Sequence, residues 1–232
     1  MRILALFAVA TALAACSPQP ATQDAETSAA QTGPIVPEQT TLPAGEYTLD
    51  KSHASFVFRV DHLGFSRYTA RFTDFDAQLQ LDPANPTAAQ INVEINPNSL
   101  QADNAPAGFL NELRGAQWIN AAAYPAITYR STSVELTAPN AARIVGDLTL
   151  HGVTRPVTLE ATFNGGWEGH PQDPNARIGF SARGTIKRSD FGISYGLPQP
   201  PMNIGVGDEV TIEIETEFTG PAWTPPANTT TP

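Results

Sequence analysis

Alternation of apolar and polar residues with a period of two runs through most of this chain. Leu79 and Leu81 alternate with Gln78, Gln80 and Asp82, and Ile91, Val93 and Ile95 alternate with Asn92, Glu94 and Asn96. Ile212, Ile214 and Phe218 share one face of a run whose other face carries Thr211, Glu213, Glu215 and Glu217. The same spacing recurs at Tyr47–Leu49, Phe56–Val60, Ile127–Leu136, Ile144–Leu150, Val157–Phe163 and Ile178–Ile186. Successive side chains of a strand point to opposite faces, so these runs predict half-buried antiparallel strands with one wet face. Turn-forming clusters separate them at Asp82–Pro86, Ala138–Asn140, Asn164–Gly166 and His170–Asn175. Gly205–Asp208 is glycine-rich but precedes a strand, and it reads as a further turn. About eight or nine strands in roughly 175 residues predict one all-β barrel or sandwich. The exception is Asn104–Gly115, where Phe109, Leu110 and Leu113 suggest a short helix ended by Gly115.

The inward positions are rich in aromatic residues. Phe56, Phe58, Phe72, Phe75, Tyr129, Phe163 and Phe180 fall on predicted strands, with Trp118 and Phe191 at connections. They could make a solid core. They could equally line a hollow, because a barrel of about eight strands is either filled by side chains or open for one ligand. Periodicity does not separate these two readings.

The ends of the chain have a different character. Met1 and Arg2 precede an apolar stretch from Ile3 to Ala12, and Leu13-Ala14-Ala15-Cys16 closes it with small residues. Residues 1–15 therefore read as an export signal, too short to span a bilayer comfortably. Leu13–Cys16 resembles the bacterial lipobox, in which the cysteine becomes the acylated N-terminus. Ser17 follows it in place of the Asp that would resemble an inner-membrane retention signal, so the expected anchor is the outer membrane, with the domain in the periplasm. Residues 16–44, rich in Pro, Gln, Ala and Thr, read as a disordered tether with a reach on the order of 30 Å. Residues 221–232, with four prolines and four threonines, read as a second tail.

Composition narrows the function. The 232 residues carry a formal charge of −10, which excludes a general nucleic-acid surface. The single cysteine excludes an internal disulfide, CxxC redox chemistry and thiolate zinc sites. His53, His62, His151 and His170 show no metal-binding spacing. Asp190-Phe191-Gly192 spells a kinase tripeptide without the loops that would give it meaning. No catalytic residue, metal or cofactor is expected.

Five blocks then resemble one family in order and spacing. They are Tyr47–His53 with Phe56–Gly64, Tyr124–Ser131, Gly146–Val157 and Ile186–Gly192, and together they bring residues 45–220 close to the YceI-like family. Ala54 and Ala70 depart from its usual Ser and Gly. The resemblance implies an eight-stranded, antiparallel, lipocalin-like β-barrel with a short helix, often a homodimer, whose apolar tunnel holds a polyisoprenoid chain. It implies no catalysis. His53, Arg59, His62 and Arg188 lie in the matching blocks, where cations at a tunnel mouth could hold a polar head. The alternative is structural, with His53 and Asp50 fixing a loop and Arg188 pairing with Asp190 on the surface. The expected function is to bind or carry isoprenoid-type lipids, polyprenyl phosphates or quinones, from a membrane anchor at Cys16. The competing expectations are an envelope interaction module with a solid barrel, and ester hydrolysis dependent on His53 or His62.

Overall fold

The computed structural model describes residues 35–224. Cys16, the signal and most of the expected tether lie outside the described residues, as do residues 225–232. The strands are β1 (Gly45–Leu49), β2 (Ser55–His62), β3 (Ser66–Phe72), β4 (Phe75–Leu81), β5 (Gln90–Ile95) and β6 (Leu100–Gln101). After the helix α1 (Phe109–Arg114) come β7 (Ile127–Ala138), β8 (Ala141–Leu150), β9 (Val153–Trp167), β10 (Asn175–Lys187) and β11 (Val206–Ala222).

Alternation became strand burial as the pattern requires. Along β4, Phe75, Ala77, Leu79 and Leu81 are buried while Asp76, Gln78 and Gln80 are exposed. The strands pair antiparallel in the order β1-β4-β5-β7-β8-β9-β10-β11, and β11 returns to β1 through Thr48↔Thr219 and Leu49↔Phe218. The circuit is a closed eight-stranded antiparallel barrel with one short helix. Strands β2, β3 and β6 extend it sideways, so the sheet has eleven strands in all.

The long strand β11 makes this branching work. Its C-terminal half pairs with β1, and its N-terminal half pairs with β2 from Val210↔Val60 to Glu215↔Ser55. Between β1 and β2 the chain bends through a single 3-10 turn, Lys51–His53, capped by Asp50 accepting from the Ser52 amide. β1 and β2 thus lie end to end along one partner strand.

Three features differ from the sequence reading. Gly205–Asp208 is not a free turn: β11 begins at Val206, and the register shifts between Val206 and Val210. Residues 35–44 carry no helix or strand, but they lie against the barrel instead of behaving as free tether. Leu42 is buried, the Glu38 amide donates to Pro139 O (2.8 Å), and Tyr47 Oη donates to Pro43 O (2.6 Å). Leu42 is a large apolar side chain in a polar stretch, and its burial offsets some of the ordering cost. At the other end β11 continues past residue 220 to Ala222, and the Trp223 amide donates to Pro174 O.

Candidate functional site

The barrel interior is hollow. Two chambers of about 450 and 200 Å³ lie along it, both with almost wholly apolar walls. They share Phe56, Val93, Tyr129, Leu159 and Ile214, which border both. The larger chamber lies toward α1 and the β2–β3 hairpin, where Tyr68, Phe109, Leu113 and Trp118 contribute to its wall. The smaller lies toward the β7–β8 turn, with Pro139–Ala142 and the N-terminal residues Pro37, Glu38, Thr40 and Leu42 around it.

Inward-facing strand positions supply the walls. Phe56, Phe58 and Phe72 form one aromatic group, with ring centroids 5.8 Å apart for Phe56 and Phe72 and 5.5 Å for Phe58 and Phe72. Phe163 and Phe180, on the paired strands β9 and β10, lie 5.9 Å apart. Tyr129 borders both chambers and donates to Ile144 O (3.2 Å) and Val157 O (3.3 Å), so its polar tip is satisfied inside an apolar wall. Burial raises its pKa above the ordinary phenol value, as it does for Tyr47, pushed up to about 12. Gly146 lies flush against the Tyr129 ring, and a Cβ there would overlap it.

Most of the aromatic residues singled out in the sequence meet at this hollow. Phe58, Phe72 and Trp118 line the larger chamber, Phe75, Phe163 and Phe180 the smaller, and Phe56 and Tyr129 both. Phe191 lines neither. It is 1% exposed, in a 3-10 turn after β10, and its carbonyl lies 3.1 Å from His151 Nδ1.

The four basic candidates separate. Arg188 lines the larger chamber, but it is 4% exposed and committed to the chain itself. Its Nε donates to Gly207 O (2.8 Å), Nη1 to Ile193 O (3.0 Å) and Tyr195 O (2.7 Å), and Nη2 to Val206 O (2.8 Å). Its pairing with Asp190 does not occur; Asp208 instead accepts from the amide and hydroxyl of Ser189. The bulge at the start of β11 presents two of these carbonyls, Val206 and Gly207, and the connection before it presents the other two. His62 ends β2 at the rim of the larger chamber and is exposed. Arg59 points outward between Phe58 and Val60 and forms an ion pair with Glu213 of β11.

His53 lies on the outer surface, in the 3-10 turn between β1 and β2, and lines neither chamber. Its Nδ1 is 3.0 Å from Asp50 Oδ2 and 3.1 Å from Ser52 Oγ. Both neighbours meet the same ring nitrogen, whereas a nucleophile relay uses opposite sides of the imidazole. Asp50, His53 and Glu217 bring ligand atoms within 4.8 Å of one another, yet Arg177 Nη1 already sits 2.8 Å from Asp50 Oδ2 and supplies positive charge there. This cluster pins the junction of β1, β10 and β11.

Tyr68 and Phe109 are wall residues that the sequence reading did not single out. The alternation Tyr68, Ala70, Phe72 in β3 was a usable signal for the first. Phe109 had none of that kind, because it reaches the chamber from a helix.

A closed antiparallel barrel around an apolar, divided hollow defines a lipocalin-like protein with an internal binding cavity. The YceI-like domain family matches residues 47–218. Protein YceI of Salmonella arizonae is 42% identical over 174 residues, covering 74% of this chain and 86% of that protein. The chain belongs to the YceI-like family. Burkholderia cenocepacia BcnA shares the fold with a TM-score of 0.63 at 22% identity, over 73% of this chain and 98% of that one. A polyisoprenoid binding domain from Saccharophagus degradans, implicated in plant cell wall breakdown, matches with a TM-score of 0.55 at 18% identity over 75% and 98%.

Proposed function

We propose that this protein binds an isoprenoid-type lipid, of the polyprenyl phosphate or quinone class, threaded through the two chambers, and holds or carries it without chemical change. The observation that carries the reading is the pair of apolar chambers in line within the barrel. Two such chambers, both bordered by Phe56, Val93, Tyr129, Leu159 and Ile214, suit one long, narrow chain better than a compact ligand. The polyisoprenoid-binding relative supports the same ligand class. A solid-barrel interaction module would need a filled interior, which this barrel does not have.

The energetics suit reversible carriage. Each CH₂ removed from water is worth about 0.8 kcal/mol, so a chain of several tens of carbons, counted from water, would pass the practical affinity ceiling of roughly 20 kcal/mol. The working reference is the bilayer, where the chain is already dry. Transfer between bilayer and chambers is then near neutral, and both loading and release are open. Acylation at Cys16 and residence in the periplasm at the outer membrane would keep the domain beside its lipid source.

Organic extraction and native mass spectrometry of the purified protein test the reading. A co-purifying isoprenoid, or saturable uptake of a polyprenyl probe, is the expected result. Protein that carries no lipid and takes up no polyprenyl probe would overturn it. Mass spectrometry of the mature N-terminal peptide tests the anchor, with acylated Cys16 expected.

A further inference from the structure

Among the described residues, the large apolar side chains that stand exposed are few, and most of them sit on two segments. Phe65, 83% exposed, lies in the β2–β3 turn, while Tyr195 (46%), Met202 (73%) and Ile204 (52%) lie on the connection that leads into β11. Val36 and Trp167 are the others.

Backbone hydrogen bonds hold the two segments side by side. The Leu63 amide donates to Gly205 O (3.0 Å), His62 pairs with Val206 across β2 and β11, and the Val206 amide donates to Gly196 O (2.7 Å). The connection folds closely on itself at Gly205, where a Cβ would overlap Gly196 O, Pro198 N and Leu197 C. Phe65 is displayed by a tight turn: φ is positive at Leu63 and Gly64, the Phe65 amide donates to His62 O (3.0 Å), and the Gly64 amide donates to Asp61 Oδ1 (2.9 Å).

This face adjoins the larger chamber. His62 and Val206, paired where the segments meet, both line that chamber. Tyr195 packs edge to face on Trp118 of the chamber wall, with ring centroids 5.5 Å apart. The connection is also uncharged: residues 192–207 contain no Asp, Glu, Lys, Arg or His, in a chain that is 16% charged and carries a formal charge of −10.

Resting on the reading that the chambers exchange a lipid with a bilayer, we propose that this face is a bilayer-docking surface. Phe65, Met202 and Ile204 enter the interface, and the rim of the larger chamber is set against the membrane. The missing charges fit this occupant, because a charged side chain carried into the membrane is costly. Exposed apolar side chains on turns suit insertion to a depth of about 5–10 Å, with the amphipathic Tyr195 at headgroup level. A second copy of the chain fits less well. At their observed exposures the four side chains offer roughly 500 Å² of apolar surface, taking about 200 Å² for each when fully exposed, whereas a stable protein interface needs about 800 Å² per partner. Apolar contact holds the face, since the acidic remainder of the chain has no attraction for an anionic surface, and docking therefore persists in salt.

Hydrogen–deuterium exchange of the full chain with and without phosphatidylcholine vesicles tests the proposal. Slowed exchange in residues 62–66 and 195–205 is the expected result, and it should persist at about 1 M salt, where the screening length is only about 3 Å. Combining Phe65→Ser, Met202→Ser and Ile204→Ser should abolish that protection. The same variant should take up a fluorescent polyprenyl probe from the vesicles at least about tenfold more slowly, while its equilibrium uptake from detergent micelles stays at the wild-type level. An acyl anchor at Cys16 is common to both proteins, so the difference between them reads the face alone. Protection that is absent, lies elsewhere, is lost in salt or survives the triple substitution would overturn the proposal. So would a dimer, seen by analytical ultracentrifugation without vesicles, that the same substitutions dissolve, since the face would then belong to a second copy. Protection of the two segments with no probe uptake from vesicles or micelles would overturn the carrier reading and leave the docking face standing.

Discussion

Arg188 and Trp118 form a stacked pair inside the barrel, with the guanidinium carbon 5.2 Å from the centroid of the indole ring and the cation only 4% exposed. Desolvation lowers the pKa of Arg188 below its ordinary value, and the nearby Asp208 charge partly opposes this. Four backbone carbonyls, from Ile193, Tyr195, Val206 and Gly207, accept from the same side chain. One residue thereby ties the end of β10, the following connection and the start of β11 together.

Arg188→Lys should not be conservative. An ammonium cannot reproduce the planar fork that reaches four carbonyls, and a loss of about 3 kcal/mol is expected from the broken buried network. Urea denaturation followed by tryptophan fluorescence measures it. A midpoint equal to that of the wild type would show that these carbonyls find water at no cost.

Phe191→Ala should also destabilise, by about 3–5 kcal/mol, because a 1%-exposed ring would leave a cavity. Phe191 lines neither chamber, so the protein that remains folded should retain the same class of cargo. A changed cargo profile on extraction would place Phe191 in the binding site after all.

Ala182→Leu projects two more branches into the smaller chamber from β10. If one chain occupies both chambers, the longest cargo should be lost while shorter chains are kept. Mass spectrometry of extracted lipid from wild type and variant compares the chain-length distributions. An identical distribution would mean that the smaller chamber is not used.

The Asp50 cluster should set the pH dependence of stability. Hydrogen bonds from Ser52 and His53 hold the Asp50 carboxyl well below the usual carboxylate range, with a further one from Arg177. A carboxyl whose pKa is lower in the folded state adds stability above its unfolded value of about 4 and loses it as pH falls through the folded value. His53 works in the opposite sense. The hydrogen bond to Asp50, followed by the Glu217 charge, raises its pKa, so its contribution is complete below about 6.5 and fades as pH rises through the folded value. Asp50→Asn should flatten the acid limb of the Tm–pH profile and move the His53 titration, followed by NMR, down toward its ordinary value. A His53 titration identical in both proteins would remove Asp50 as its partner.

Much of this molecule was legible along the chain because a strand side chain has only two directions to point. Phe75, Leu79 and Leu81 announced an inward face, and β4 delivers it with Ala77 filling the position between. The aromatic residues that alternate into the interior were identifiable by the same logic, and most of them line the chambers. The ordered blocks shared with the YceI-like family carried the barrel topology with them.

Tertiary structure decided what depends on distance across the barrel. Whether the interior is filled or hollow depends on how Phe56 and Tyr129 on different strands approach each other, and period-two alternation says nothing of that separation. The fate of Arg188 depended on carbonyls from residues 5 to 19 positions further along the chain, brought together by a register shift at the start of β11. Tyr68 and Trp118, far apart in sequence, became neighbours of one chamber only when β3 and the connection after α1 closed over it. Local pattern determined which face of each strand is dry. Only the closure of the sheet determined that those dry faces enclose a space, because an enclosed volume is a property of the whole sheet at once, the branch strands β2 and β3 included.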